Sequence, residues 1–242
     1  MWRGRKFLNL IILFDDDFIK QNYVRLKGRR LKHVVDIHKS NVGETLKVGL
    51  LGGKIGEGLI TEITKDKLEM QIELTYDPPK PSNIQLIMAM PRPKVFKRII
   101  QDVTAIGVKK IYIIKTWRVD KSYWSSTVLE ENTLFNNIIL GLEQSKDTIL
   151  PQIHIKKLFK PFVEDELPAI IKGTRPIAAH PMAQEQCPRN ITESLTLAIG
   201  PEGGFIPYEI DMLKKQGFEV YTLGERILRV EVVIPYLAGR FS

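Results

Sequence analysis

Apolar positions along residues 45–74 fall on alternate residues. Residues 45–50 alternate, Gly52-Gly53 marks a turn, and residues 57–63 resume the pattern. Residues 67–74 alternate strictly and place Leu68, Met70, Ile72 and Leu74 on one face. A period of two with turn signals between runs predicts a small, half-buried antiparallel sheet, barrel-like in closure. The glycines at 52, 53, 56 and 58 precede no Lys-Ser/Thr and no helix, so they read as a hairpin rather than a phosphate loop. Asp77-Pro78-Pro79-Lys80-Pro81-Ser82-Asn83 then breaks the pattern. Its three prolines can extend neither a helix nor a central strand, which predicts a stiff linker between domains at 1–77 and 83–242.

Beyond the linker the period changes. Runs at 84–90, 110–114, 176–179, 196–199 and 218–223 are apolar and short, as in buried strands. Residues 94–106 place Val95, Ile99, Ile100, Val103 and Ile106 at helical spacing, and Gly107 stops them. Residues 130–144 and 208–216 are also helical in pattern. Strands alternating with helices predict an α/β domain with a largely parallel sheet. Ligands in such sheets sit beyond the carboxyl ends of strands, so the loops after Ala179, Ile199 and Leu223 are the places to look.

Composition narrows the function classes. Of 242 residues 43% are hydrophobic and 26% charged, which suits a folded globular chain. Cys187 is the lone cysteine and no Cys/His pair has zinc spacing, so neither a disulfide scaffold nor a metal site is expected. The net charge of +8 favours a polyanionic partner such as nucleic acid, or else reflects a basic-leaning proteome. Residues 1–6 are basic and 8–14 apolar, but Asp15-Asp16-Asp17 follows with no small-residue cleavage site. No run reaches the roughly 18 apolar residues of a spanning helix. No membrane and a cytoplasmic location are expected.

Two loops carry the candidate chemistry. Ile199-Gly200-Pro201-Glu202-Gly203-Gly204-Phe205 follows a buried strand and precedes a helix that Pro207 suits as a first-turn residue. Glu209 and Asp211 complement the dipole of that helix. Glycines there let backbone groups approach a ligand, or simply turn the chain. Leu223-Gly224-Glu225-Arg226-Ile227-Leu228-Arg229-Val230-Glu231 is either a surface turn or a loop that cups a ligand and presents Arg229 to an anion.

Together these two motifs resemble the RsmE family of 16S ribosomal RNA uridine-N3 methyltransferases, in the SPOUT superfamily. The resemblance extends to Gly28-Arg29-Arg30-Leu31-Lys32-His33, Val42-Gly43-Glu44-Thr45-Leu46, residues 94–108 and Glu143-Gln144-Ser145. It implies a PUA-like RNA-binding β-barrel followed by an α/β domain tied in a trefoil knot, although general topology rules disfavour knots. It implies a homodimer acting on 16S rRNA or the small ribosomal subunit, with S-adenosylmethionine as methyl donor. Cofactor contacts implied are Ile199, Gly200, Pro201, Gly203, Leu223, Gly224, Ile227, Leu228 and Arg229, with His180 a further candidate. Arg229 would stabilise a developing uracil anion or grip a phosphate. Glu202 and Glu231 would act as base or hold the knot through backbone bonds. The second role is preferred, since carboxylates are poor bases for so weak an acid unless tuned.

Arg3, Arg5, Arg29 and Arg30 concentrate charge early in the chain, where it would bind phosphate without reading sequence. Arg92 and Lys94 extend that track, and Arg118 near Trp117, Tyr123 and Trp124 could add base stacking. There are four departures from the family pattern. Lys39 stands for an arginine and loses its bidentate fork. Ala105 stands for a carboxylate. Asp147 stands for an arginine, a reversal that would repel phosphate. Val230-Glu231-Val232-Val233 replaces hydroxyl caps, and the helix there can still form if Pro235 lies in its first turn. These departures keep open a weakened RNA-binding homologue, or a methyltransferase acting on another RNA site.

Overall fold

The computed structural model describes residues 9–241, with the side chain of His38 excepted. Arg3 and Arg5 lie outside the described residues. The chain divides into two compact units, residues 1–80 with 139–150 and residues 81–138 with 151–242. The linear division at 1–77 and 83–242 differs from this in segment 139–150, which clusters with the first unit.

The first unit holds β1 (Ile11–Leu13), β2 (Phe18–Lys20), β3 (Tyr23–Leu26), β4 (Thr45–Leu50), β5 (Ile55–Ile63) and β6 (Leu68–Tyr76), in sheet order β1-β4-β5-β6-β3-β2. All pairings are antiparallel except β1 with β4. Leu68, Met70 and Ile72 are buried on one face with Leu46, Val48 and Ile60, and Leu74 packs at the margin. The apolar run before Asp15 is β1, every residue of it buried. Helix α1 (Gly28–Lys32) continues into a π-helical segment, His33–His38.

The second unit is an α/β fold. It contains β7 (Ile84–Ala89), β8 (Lys110–Ile114), β9 (Gln152–Lys156), β10 (Arg175–Ala179), β11 (Leu195–Ile199) and β12 (Glu219–Tyr221). The order is β12-β10-β11-β7-β8-β9, and every neighbouring pair is parallel. Central β7 and β11 are buried throughout, as strands covered on both faces must be. Gln85 Nε2 donates to Thr196 Oγ1 at 2.6 Å, a polar contact that ties β7 to β11 inside the core. Helices α2 (Pro93–Ala105) and α3 (Glu131–Ser145) follow β7 and β8, α3 belonging to this unit as far as Ile138. Short α4 (Phe159–Pro161) and α5 (Leu167–Ile170) flank a π-helical turn, and α6 (Pro207–Lys215) and α7 (Val230–Phe241) complete the unit.

Two expectations are corrected. Pro235 lies inside α7, beyond its first turn. The buried apolar face of Val233, Ile234 and Leu237 holds the helix there, while exposed Pro235 has no N–H for the Glu231 carbonyl four residues earlier. Asp147 is buried rather than facing phosphate, and its Oδ1 accepts the backbone N–H of Ile149 at 2.9 Å. Among the described residues no helix is long and apolar enough to cross a membrane.

Candidate functional site

The carboxyl ends of β7, β10, β11 and β12 meet around a cavity of about 540 Å³. Each strand is followed by a loop rather than a helix, and backbone bonds hold the loops together.

After β11 the chain turns so tightly that a Cβ on Gly200 would lie 2.8 Å from the Phe205 nitrogen. Gly204 N donates to Pro201 O at 2.7 Å and closes the turn. Buried Glu209 then braces the start of α6. Its Oε2 accepts the Ile206 N–H at 2.9 Å, and its Oε1 accepts the Trp117 N–H at 2.7 Å. The expected dipole complement is therefore also a tie to the loop after β8.

After β10, the His180 N–H donates to Tyr221 O at 2.9 Å. Its Nδ1 accepts from Met182 N at 3.2 Å, which leaves the ring proton on Nε2, 3.2 Å from Phe205 O. After β7, the Arg92 N–H donates to Glu202 Oε1 at 2.9 Å. After β12, the Gly224 N–H donates to Thr222 Oγ1 at 3.3 Å, and Gly224 takes φ +116°, a conformation that favours glycine.

Most of the sequence-derived candidates converge here. Ile199, Gly200, Pro201 and Glu202 line one wall. Leu223, Gly224, Ile227, Leu228 and Arg229 line another, with His180, Arg92 and Glu231 completing it. Gly203 does not line the cavity. Its carbonyl accepts from Arg118 Nη1, and a Cβ there would lie 2.9 Å from Arg118 Cδ. Arg229 is 85% exposed at its side chain and 3.9 Å from Glu231 Oε1. Val233, within the segment that departs from the family pattern, also lines the cavity, as do Val95 and Arg226, which were not singled out. Arg226 stands within the quoted motif, whereas nothing local marks Val95, which reads as an ordinary apolar helix position.

The basic candidates separate by what they touch. Arg30 is bound bidentately by Asp17, at 2.7 Å for Nη2 to Oδ1, and also donates to Ile12 O at 2.9 Å. Arg29 pairs with Glu143 through two bonds of 3.1 Å. Exposed Lys39 ends the π-helical segment at φ +50°. Arg92 and Lys94 are exposed at the start of α2. Among the described residues no cluster of His, Cys, Asp or Glu could hold a metal ion.

The profile of an RNA methyltransferase domain matches residues 78–241. The chain belongs to this RNA methyltransferase family. The matched region contains β7 to β12 and the whole cavity. Ribosomal RNA small subunit methyltransferase E 1 of Borreliella burgdorferi is 27% identical over 229 residues, covering 93% of each chain. A solved ribosomal RNA small subunit methyltransferase E from Neisseria gonorrhoeae, bound to S-adenosyl methionine, has a TM-score of 0.72 at 18% identity over 96% of this chain and 95% of that one. A Legionella pneumophila protein solved with bound cofactor SAM has a TM-score of 0.75 at 22% identity, covering 96% and 95%. The resemblance to the RsmE family read from the two loops agrees with these relatives.

Proposed function

We propose that this RNA methyltransferase transfers the methyl group of S-adenosylmethionine to uridine N3 in 16S ribosomal RNA of the small subunit. The observation that carries the reading is the convergence of the loops after β10, β11 and β12 on one cavity. Its size falls within the roughly 300–1,000 Å³ of small-molecule sites. Gly200 leaves the backbone open to close approach, and Ile199, Leu223, Ile227 and Leu228 offer an apolar lining for an adenine. When bound, the cofactor supplies an electrophilic sulfonium methyl.

The residues around it position and exclude. Exposed Arg229 at the mouth would meet the uracil oxygens as N3 loses its proton, stabilising the anion. Glu231 would orient that guanidinium. Glu202 is engaged by the Arg92 N–H, which favours its structural role. A target base must leave its stack to reach the site. We further propose that the second unit is a trefoil knot, a reading supported by β11 lying between β10 and β7 and by α7 packing on α2 and β11. The first unit would be a PUA-like RNA-binding barrel, and the protein a cytoplasmic homodimer.

Calorimetric titration with S-adenosylmethionine tests the cofactor. Micromolar dissociation, about −8 kcal/mol, supports the reading, and no binding by a folded, cofactor-free sample up to millimolar ligand overturns it. Transfer of labelled methyl to unmodified small subunits, with the nucleotide mapped, tests the substrate. Label on another base would reassign it.

A further inference from the structure

The loop between β8 and the 3₁₀ turn Lys121–Ser125 leaves an unusual side chain in solvent. Trp117 is 81% exposed. A single exposed apolar residue needs no explanation by itself. What distinguishes this one is how its backbone is held. Its N–H is bound at 2.7 Å by the buried Glu209 carboxylate. The next residue, Arg118, donates to the Gly203 carbonyl, and Val119 N closes the turn on Thr116 O at 3.2 Å. Gly203 lies between Glu202 and Gly204, both of which line the cavity. The backbone that carries this exposed indole is thus tied to the loop that forms the cavity wall. Arg118 and Lys121 are exposed beside it, and the nearby carboxylate of Asp120 is occupied in capping Ser122 at 2.8 Å. Tyr123 and Trp124 are half-buried, and Trp124 Nε1 is enclosed, so neither offers a free ring face of this kind.

We propose that Trp117 is a positioning residue, a stacking platform for an RNA base next to the nucleotide that enters the cavity. An exposed indole on a tethered backbone, next to Arg118 and Lys121, combines the two elements of single-strand recognition, a π-face and phosphate-binding charge. The inference rests on the RNA substrate proposed above. Because Glu209 holds the backbone and not the indole, truncating Trp117 leaves the loop tied.

The test uses full-length Trp117→Ala and Trp117→Phe with two RNA readouts: anisotropy with a labelled single-stranded uridine dodecamer, and KM against kcat on unmodified small subunits. Stacking is worth about 1–3 kcal/mol per base, so the alanine variant should bind the dodecamer roughly 5- to 150-fold more weakly. Its salt slope should be unchanged, since no phosphate contact is lost. KM should rise in parallel while kcat and S-adenosylmethionine affinity hold, and phenylalanine should restore most of the loss. Unchanged RNA affinity in the alanine variant overturns the proposal. So does a loss accompanied by a shift in sedimentation, which assigns Trp117 to a protein interface. Wild-type protein that binds the dodecamer through Trp117 yet methylates no subunit would overturn the substrate reading and leave the platform standing.

Discussion

Glu202 Oε1 accepts the backbone N–H of Arg92 at 2.9 Å, joining the loops after β11 and β7 across the cavity wall. The bond separates two roles for this carboxylate. Glutamine keeps an oxygen for the same N–H, so Glu202→Gln should retain cofactor affinity and kcat. Glu202→Ala should weaken cofactor binding about fivefold, equivalent to about 1 kcal/mol for one hydrogen bond. Retained affinity with lost kcat in the glutamine variant would make Glu202 a proton acceptor instead.

Gly200 and Gly224 should fail differently. A Cβ at Gly200 meets the Phe205 backbone, whereas a Cβ at Gly224 has no neighbour within 4 Å and only its φ of +116° is strained. Gly200→Ser should therefore bind cofactor less well than Gly200→Ala, and the alanine variant at least tenfold less well than wild type. At Gly224, alanine and serine should cost the same, about 1–3 kcal/mol of conformational strain. Calorimetric titration with thermal unfolding measures both series.

The two adjacent arginines of α1 should differ in stability. Arg30 and Asp17 are 17% and 8% exposed at their side chains, so Arg30→Met leaves a mostly buried carboxylate without its guanidinium. Urea unfolding should show a loss of about 3 kcal/mol. Arg29 is 54% exposed, and Arg29→Met should cost less than about 1 kcal/mol. Equal costs would contradict the structural assignment of Arg30.

Stability should depend on pH through Glu219. The Arg175 guanidinium on Glu219 holds this carboxyl below its ordinary 4.5, with a further bond from the Tyr221 hydroxyl. A lowered folded pKa gives stability that is present above 4.5 and lost as pH falls through the folded value. The stability difference between wild type and Glu219→Gln should therefore be constant near neutrality and shrink below about pH 4. Denaturant titrations at stepped pH measure it, and a gap that widens on acidification would refute the sign.

Pro235 sits inside α7 on its exposed side. Pro235→Ala supplies the missing N–H for the Glu231 carbonyl and should raise stability by about 1–3 kcal/mol. Thermal unfolding tests this, and a lower melting temperature would show that the proline ring itself packs.

The sequence by itself determined the parts that depend on local periodicity. Alternation at 67–74 located β6 and its buried face. The helical spacing of 94–106 located α2, and strand–loop patterning pointed to the carboxyl ends of β10, β11 and β12. These signals are legible because burial selects side chains at the period of the element that carries them. Short β1, β2, β3 and β9 were missed, being too brief or too polar to show a period.

Partners were decided only by the tertiary structure. Arg29 meets Glu143 across 114 residues and Trp117 meets Glu209 across 92. Asp147 reads as a surface charge until its burial is seen, and Arg30 reads as a phosphate contact until Asp17 is beside it. A side chain's charge or apolarity is written in the sequence, but what it faces is set by chain segments brought together only when the sheets and loops assemble. That is why the cavity's backbone loops were recognisable in advance, while the ties that hold them rigid were not.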